Sequence, residues 1–198
     1  MYMIIFIFGL IIGILLNAAI DTITNSITKS KGITLNVLIP IICASSFEIM
    51  FLRLGVTTIF VKAIAMIAIL IIISVIDIRH RIIPDFMVVI ALSSGIIFAI
   101  ITRTSLIDTV FGMICGGGIL FLLALVPNAM GGGDVKVMFA IGAFLGLNGT
   151  LWALLLAFSI SSIASIALIV FKRKGTKDYI PFGPFLALGS CISLFIFI

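Results

Sequence analysis

"AIAMIAILIIISVID", residues 63–77, runs through fourteen apolar or small residues and then stops on a carboxylate. A helix needs roughly 20 such residues to cross a bilayer. Extended back to Thr57, this stretch is long enough, and it carries too little polarity to lie against water. The rest of the chain agrees. Of 198 residues, 63% are hydrophobic and only 10% charged, with a mean hydropathy of +1.49. That leaves too little polar material to coat a soluble core. The expected fold is all-α: a polytopic membrane protein, with residues 1–198 forming one membrane-embedded domain.

Working outward, apolar segments run over 3–20, 33–52, 57–76, 86–101, 108–126, 135–147, 151–171 and 180–198. Most have the length of a span, giving about eight transmembrane helices. The segments after Pro84 and Asp134 are short, as for helices that begin within protein or a water-filled cavity. Threading eight spans alternately puts Lys29, Lys31, Arg79, Arg81, Lys136, Lys172, Arg173, Lys174 and Lys177 on one face, and Arg53, Lys62 and Arg103 on the other. By the positive-inside rule the first face is cytoplasmic, and both termini fall outside. The net charge of +5 is then a topology signal and not a nucleic-acid footprint. No basic residue precedes the first span, so it reads as a retained helix and not a secretory signal. Cys43, Cys115 and Cys191 are far apart in apolar stretches, without metal-ligand spacing, and read as small core residues. No metal or cofactor is expected.

There are only seven acids: Asp21, Glu48, Asp77, Asp85, Asp108, Asp134 and Asp178. A carboxylate at membrane depth costs roughly 2.5 to 3.5 kcal/mol on insertion scales, so acids at span boundaries invite a functional reading. Asp77 ends the third span, just before "IRHRIIPD", in which Pro84 interrupts helix and suits the start of the next one. Asp134 opens the sixth span from the same face, after "PNAMGGG". Gly131, Gly132 and Gly133 permit positive φ and close approach, and so a tight re-entrant turn. The two aspartates are 57 residues apart yet reach the same boundary. Simpler roles exist for each: Asp134 as a helix cap, and Asp77 as an ion-pair partner of Arg79 or Arg81.

These residues resemble a known family. "GGGD" (131–134) fits the GxGD motif of intramembrane aspartyl proteases, and "DIRHRIIPD" (77–85) is similar to the D-x-x-x-x-x-I-P-D segment of type IV prepilin peptidases. "GLIIGILLNAAI" (9–20), "GGGDVKVMFAIGAFLG" (131–146) and "YIPFGPFLALGS" (179–190) resemble that family's first span, second-aspartate stretch and last span. The resemblance implies that Asp77 and Asp134 form a catalytic pair. It also implies that the substrate is a membrane-embedded prepilin or pseudopilin whose N-terminal leader is cut at the cytoplasmic face of the cell membrane. In one respect the chain departs from the family. Many members carry, after the first span, a large insertion with two CxxC pairs tied to N-methylation. Here the loop is only "DTITNSITKSKG" (21–32), so methyl transfer is expected to be missing.

The chemistry is coherent in its own terms. Two carboxylates sharing a site hold one proton between them, so one can activate water while the other polarises the scissile carbonyl. The serines have no paired base, since the only histidine, His80, sits between Arg79 and Arg81 and reads as a surface residue. Lys136 is either a headgroup anchor or a counter-charge to the site. Pro181, Gly183 and Pro184 in "PFGP" break the start of the last span, either shaping a substrate entrance or merely starting a helix. Asp85 reads as a first-turn acid, and Glu48 as an outer-leaflet partner of Arg53 or Lys62. "CGGG" (115–118) permits close helix approach, within the chain or to another copy. An acid pair among broken helices also describes a proton- or ion-coupled carrier. That alternative fits less well, because both aspartates sit at one face and no internal repeat is evident.

Overall fold

In a computed structural model, residues 2–27, 37–127, 130–171 and 180–197 are described. They form seven α-helices: α1 (Tyr2–Ile27), α2 (Leu38–Leu54), α3 (Thr58–His80), α4 (Asp85–Ile101), α5 (Leu106–Ala124), α6 (Gly132–Val170) and α7 (Gly183–Phe197). Four stretches are long and apolar enough to cross a membrane: Tyr2–Thr24, Thr58–His80, Leu106–Ala124 and Gly132–Val170. Helices suit such sequences because every interior backbone group finds its partner within the segment. The outside of the bundle stays apolar, with Leu15, Phe111, Leu122 and Ile163 exposed. Asn128, Ala129, Asp178 and six basic residues behind the cytoplasmic assignment (Lys29, Lys31, Lys172, Arg173, Lys174, Lys177) lie outside the described residues, as does the end of the 21–32 loop.

The eight apolar segments map onto seven helices because α6 takes in two of them. It is broken at Gly146, whose φ of 68° and ψ of −173° are not helical. A Cβ added to Gly116 of α5 would lie 3.0 Å from the Met138 carbonyl oxygen and 2.7 Å from Cγ2 of Thr150. In a continuous helix those two residues would be about 18 Å apart. They meet around one glycine because the chain reverses at Gly146, so α6 is a helical hairpin with legs before and after that residue. The break falls at Gly146 and not at residues 148–150, where hydropathy places it, because only a glycine accepts this φ without strain.

Close approach holds the bundle together. Without water in the hydrocarbon, helices associate by packing small residues against one another. Gly9 of α1 faces the Ala44 backbone of α2, Gly112 of α5 faces Gly142 and Gly146 of α6, and Gly189 of α7 lies against the Ala153 carbonyl. The "CGGG" stretch therefore has partners within the chain at Gly116 and Gly117, which contacts Phe139, while Gly118 faces open space. Cys43, Cys115 and Cys191 are free thiols, Cys43 buried and the others half-buried.

Candidate active site

Helix α3 ends just past Asp77. Thr57 caps its start by accepting the Phe60 amide at 3.1 Å. At its end Arg81 turns left-handed (φ 55°, ψ 33°) and donates its amide to the Asp77 carbonyl at 2.8 Å. Ile82 to Pro84 are non-helical, with Pro84 as the N-cap of α4. This turn leaves Asp77 one turn inside the helix end, 3% exposed. Its carboxylate accepts the Gly183 amide at 2.9 Å, the first residue of α7. The first amides of a helix have no intrahelical acceptor, and Asp77 supplies one from another helix.

Gly183 was expected among the residues around the site, but its specific contact was not read from sequence. A Cβ there would meet Asp77 Oδ2 at 2.7 Å and Asp77 Cβ at 3.1 Å, so glycine is needed for space. The signal was present in "PFGP": a residue without a side chain placed where prolines start a helix. Pro184 falls in the first turn of α7 and Pro181 precedes it. Neither lines the cavity described below.

Asp134 lies in the first turn of α6 and is also 3% exposed. The N-cap is Gly131, in extended conformation (φ −76°, ψ 139°). The carboxylate reaches back toward the Gly131 amide, as acids at this position of a helix do. A helix-start role is thus present, with the aspartate as the third helical residue and not as the cap itself. The glycines also differ from expectation: Gly132 and Gly133 are helical and none of the three takes a positive φ. Gly133 serves close approach instead, since a Cβ there would be 3.1 Å from Ile83 Cβ, bringing α6 against the linker that follows α3.

Asp77 and Asp134 line one cavity of about 320 Å³, together with Arg81, Ile83, Gly133 and Lys136. They are close enough to interact electrostatically. Of the two ion-pair partners considered for Asp77, Arg79 instead bonds Asp21 of α1 at 2.8 Å, while Arg81 interacts electrostatically with Asp77. Arg81 also lines the cavity. His80 is half-buried and not at the surface, because it remains in the last turn of α3. It does not line the cavity.

At the rim, Lys136 pairs with Asp85 of α4 at 2.6 Å, and the two side chains are 54% and 74% exposed. An exposed pair contributes about 0 to 1 kcal/mol. Lys136→Met and Asp85→Asn are each expected to shift unfolding stability by less than about 1 kcal/mol, measured by thermal melting in detergent. A larger loss would mean that the pair holds α4 to α6 structurally. Glu48 does not pair with Arg53; the Arg53 guanidinium sits 4.6 Å from the Phe195 ring centroid and donates to the Ile196 carbonyl at 3.4 Å.

Comparison with known proteins bears on this site. The sequence profile of the type IV leader peptidase family matches residues 64–170, which include both aspartates. The chain is 32% identical over 133 residues to the prepilin leader peptidase/N-methyltransferase of Aeromonas hydrophila, covering 64% of this chain and 46% of that one. To the protein of the same name from Escherichia coli (strain K12) it is 35% identical over 128 residues, covering 61% and 56%. To that of Bacillus subtilis (strain 168) it is 27% identical over 173 residues, covering 83% and 68%. The chain thus spans about half the length of the first two of these relatives. No solved structure matches. With the profile covering more than half of the sequence, this chain belongs to the type IV leader peptidase family.

Proposed function

We propose that the chain is an intramembrane aspartyl endopeptidase that removes the N-terminal leader of type IV prepilins or pseudopilins. The observation that carries this reading is the pair of buried carboxylates, from two different helices, lining one cavity. Within the pair, one carboxylate takes a proton from water as the water attacks the scissile carbonyl, and the protonated partner donates to the carbonyl oxygen. The amine leaves as the tetrahedral intermediate collapses and takes a proton from the pair, so no covalent intermediate is needed. The Gly183 amide orients Asp77, and the first turn of α6 carries Asp134. Cationic Arg81 and Lys136 offset negative charge at the cavity.

The proposed topology follows the basic-residue bias. The Asp77 end of the bundle faces the cytoplasm in the cell membrane, and the α6 hairpin supplies two of about eight spans. Its first leg, from Gly132 to Gly146, is only about 21 Å long, short of a bilayer core of about 30 Å. That fits a catalytic cavity recessed from the headgroups. The ion-coupled carrier is not favoured by any observed feature.

The test is incubation of the purified protein with a candidate prepilin in detergent, followed by N-terminal sequencing of the product. A single new terminus supports the reading, and an intact substrate opposes it. The product is further expected to carry an unmethylated amine, because residues 21–32 have no cysteine and no room for a methyl-donor site. A mass gain of one methyl group that depends on this protein would overturn that expectation.

A further inference from the structure

At the opposite end of the bundle from the aspartate pair, a second group of charges lies within the helices. Lys62 of α3 is only 6% exposed. It lines a cavity of about 370 Å³ with Asp108 of α5 and Asn148 and Gly149 of α6, and it interacts electrostatically with Asp108. Asp108 is directed at the α6 reversal. Its Oδ1 accepts the Leu147 amide at 3.1 Å, the first residue of the returning leg. Its Oδ2 occupies the space that a side chain at Gly146 would take.

The carboxylate therefore does two things at one joint. It satisfies an amide that the break in α6 leaves without a helical acceptor, and it fills the space freed by glycine. Thr150 closes the joint from within, donating to the Gly146 carbonyl at 2.5 Å. Buried charge without compensation is costly; the buried charge here is Lys62 of α3, the helix that carries Asp77, and half-buried Asp108 provides its compensation.

The geometry links this joint to the active site. Asp134 is twelve residues from Gly146, about 18 Å along a rigid helix. A tilt of roughly 3° about the Gly146 end would move Asp134 by about 1 Å, a displacement that can cost about a hundredfold in rate. We infer that Asp108, balanced by Lys62, is a positioning residue: it clamps the helical reversal at Gly146 and so sets where the leg bearing Asp134 ends. The consequence for rate rests on the proposed peptidase function; the structural consequence does not.

Two readouts separate these. In a full-length chain with its three cysteines replaced by alanine, Ile83→Cys and Gly133→Cys form a reporter pair. The Cβ positions are 3.1 Å apart, a little under the roughly 3.5–4.5 Å of a disulfide, so a shift of a few tenths of an ångström lets the bond form. Asp108→Ala is expected to lower oxidative cross-linking of this pair several-fold. In the otherwise native enzyme it is expected to lower kcat for leader cleavage by about ten- to a hundredfold, with KM changed little. Asp108→Asn combined with Lys62→Met keeps the acceptor for Leu147 and removes the charge imbalance, and should restore both readouts to within about threefold of wild type. If Asp108→Ala cannot be recovered folded, Gly146→Ala disturbs the same joint from the other side and is expected to lower cross-linking likewise. Unchanged cross-linking in whichever of the two folds, or a double variant as impaired as Asp108→Ala, overturns the inference. If wild type itself fails to cleave, the peptidase reading falls, while cross-linking still decides the positioning role.

Discussion

Asp77→Asn and Asp134→Asn should each abolish leader cleavage, by at least about 10² to 10⁴-fold, the range that a positioned acid or base contributes. Asparagine keeps the volume of aspartate, and at position 77 it can still accept the Gly183 amide, so the helices should stay in place. What it cannot do is exchange a proton, and hydrolysis by a carboxylate pair requires both an acceptor and a donor. The measurement is single-turnover cleavage of a prepilin by each purified variant, with thermal melting in detergent as the check on folding. Cleavage at near wild-type rate by either folded variant would remove that aspartate from the mechanism.

The second large effect is expected at a residue without a side chain. Gly183→Ala places a methyl group 2.7 Å from Asp77 Oδ2, closer than such atoms pack, and 3.1 Å from its Cβ, a tight contact. Either α7 retreats or the carboxylate turns, and in both cases the 2.9 Å bond from the Gly183 amide is stretched or lost. A displacement approaching 1 Å at a reacting group can cost about a hundredfold, so kcat should fall by about ten- to a hundredfold. Gly118→Ala is the control. It lies in a helix and faces open space, so alanine there should leave activity unchanged and raise stability by up to about 1 kcal/mol. Equal loss of activity in both variants would mean that Gly183 matters only as a generic helix residue.

Much of the fold can be read in the residues themselves. The run from Ala63 to Asp77, and the apolar segments around it, specify helices because in hydrocarbon a backbone must satisfy its own hydrogen bonds. The boundaries of α3, α4 and α5 fall within a few residues of the hydropathy limits for the same reason. The family resemblance was also legible, since "DIRHRIIPD" and "GGGD" are local patterns. Both aspartates could be singled out because charges are so few in this chain that each must be accounted for.

Other features depend on distances between residues far apart in sequence. Hydropathy detects a pause near 148–150, but the reversal occurs at Gly146, where Asp108 from α5 fills the glycine's empty side and caps the next amide. The three glycines before Asp134 looked like a left-handed turn; they are an extended cap and a helix start, and Gly133 serves close packing against Ile83. Arg79 seemed available to Asp77 until α1 brought Asp21 to it. Composition and local pattern thus determined that this chain is a helical membrane protein of a recognisable family, because burial of backbone and of charge is priced residue by residue in an apolar solvent. Only the tertiary structure decided that Asp77 and Asp134 line one cavity and that Gly183 holds one of them. Those are close packings between separate helices, and no local pattern encodes which glycine will face which carboxylate.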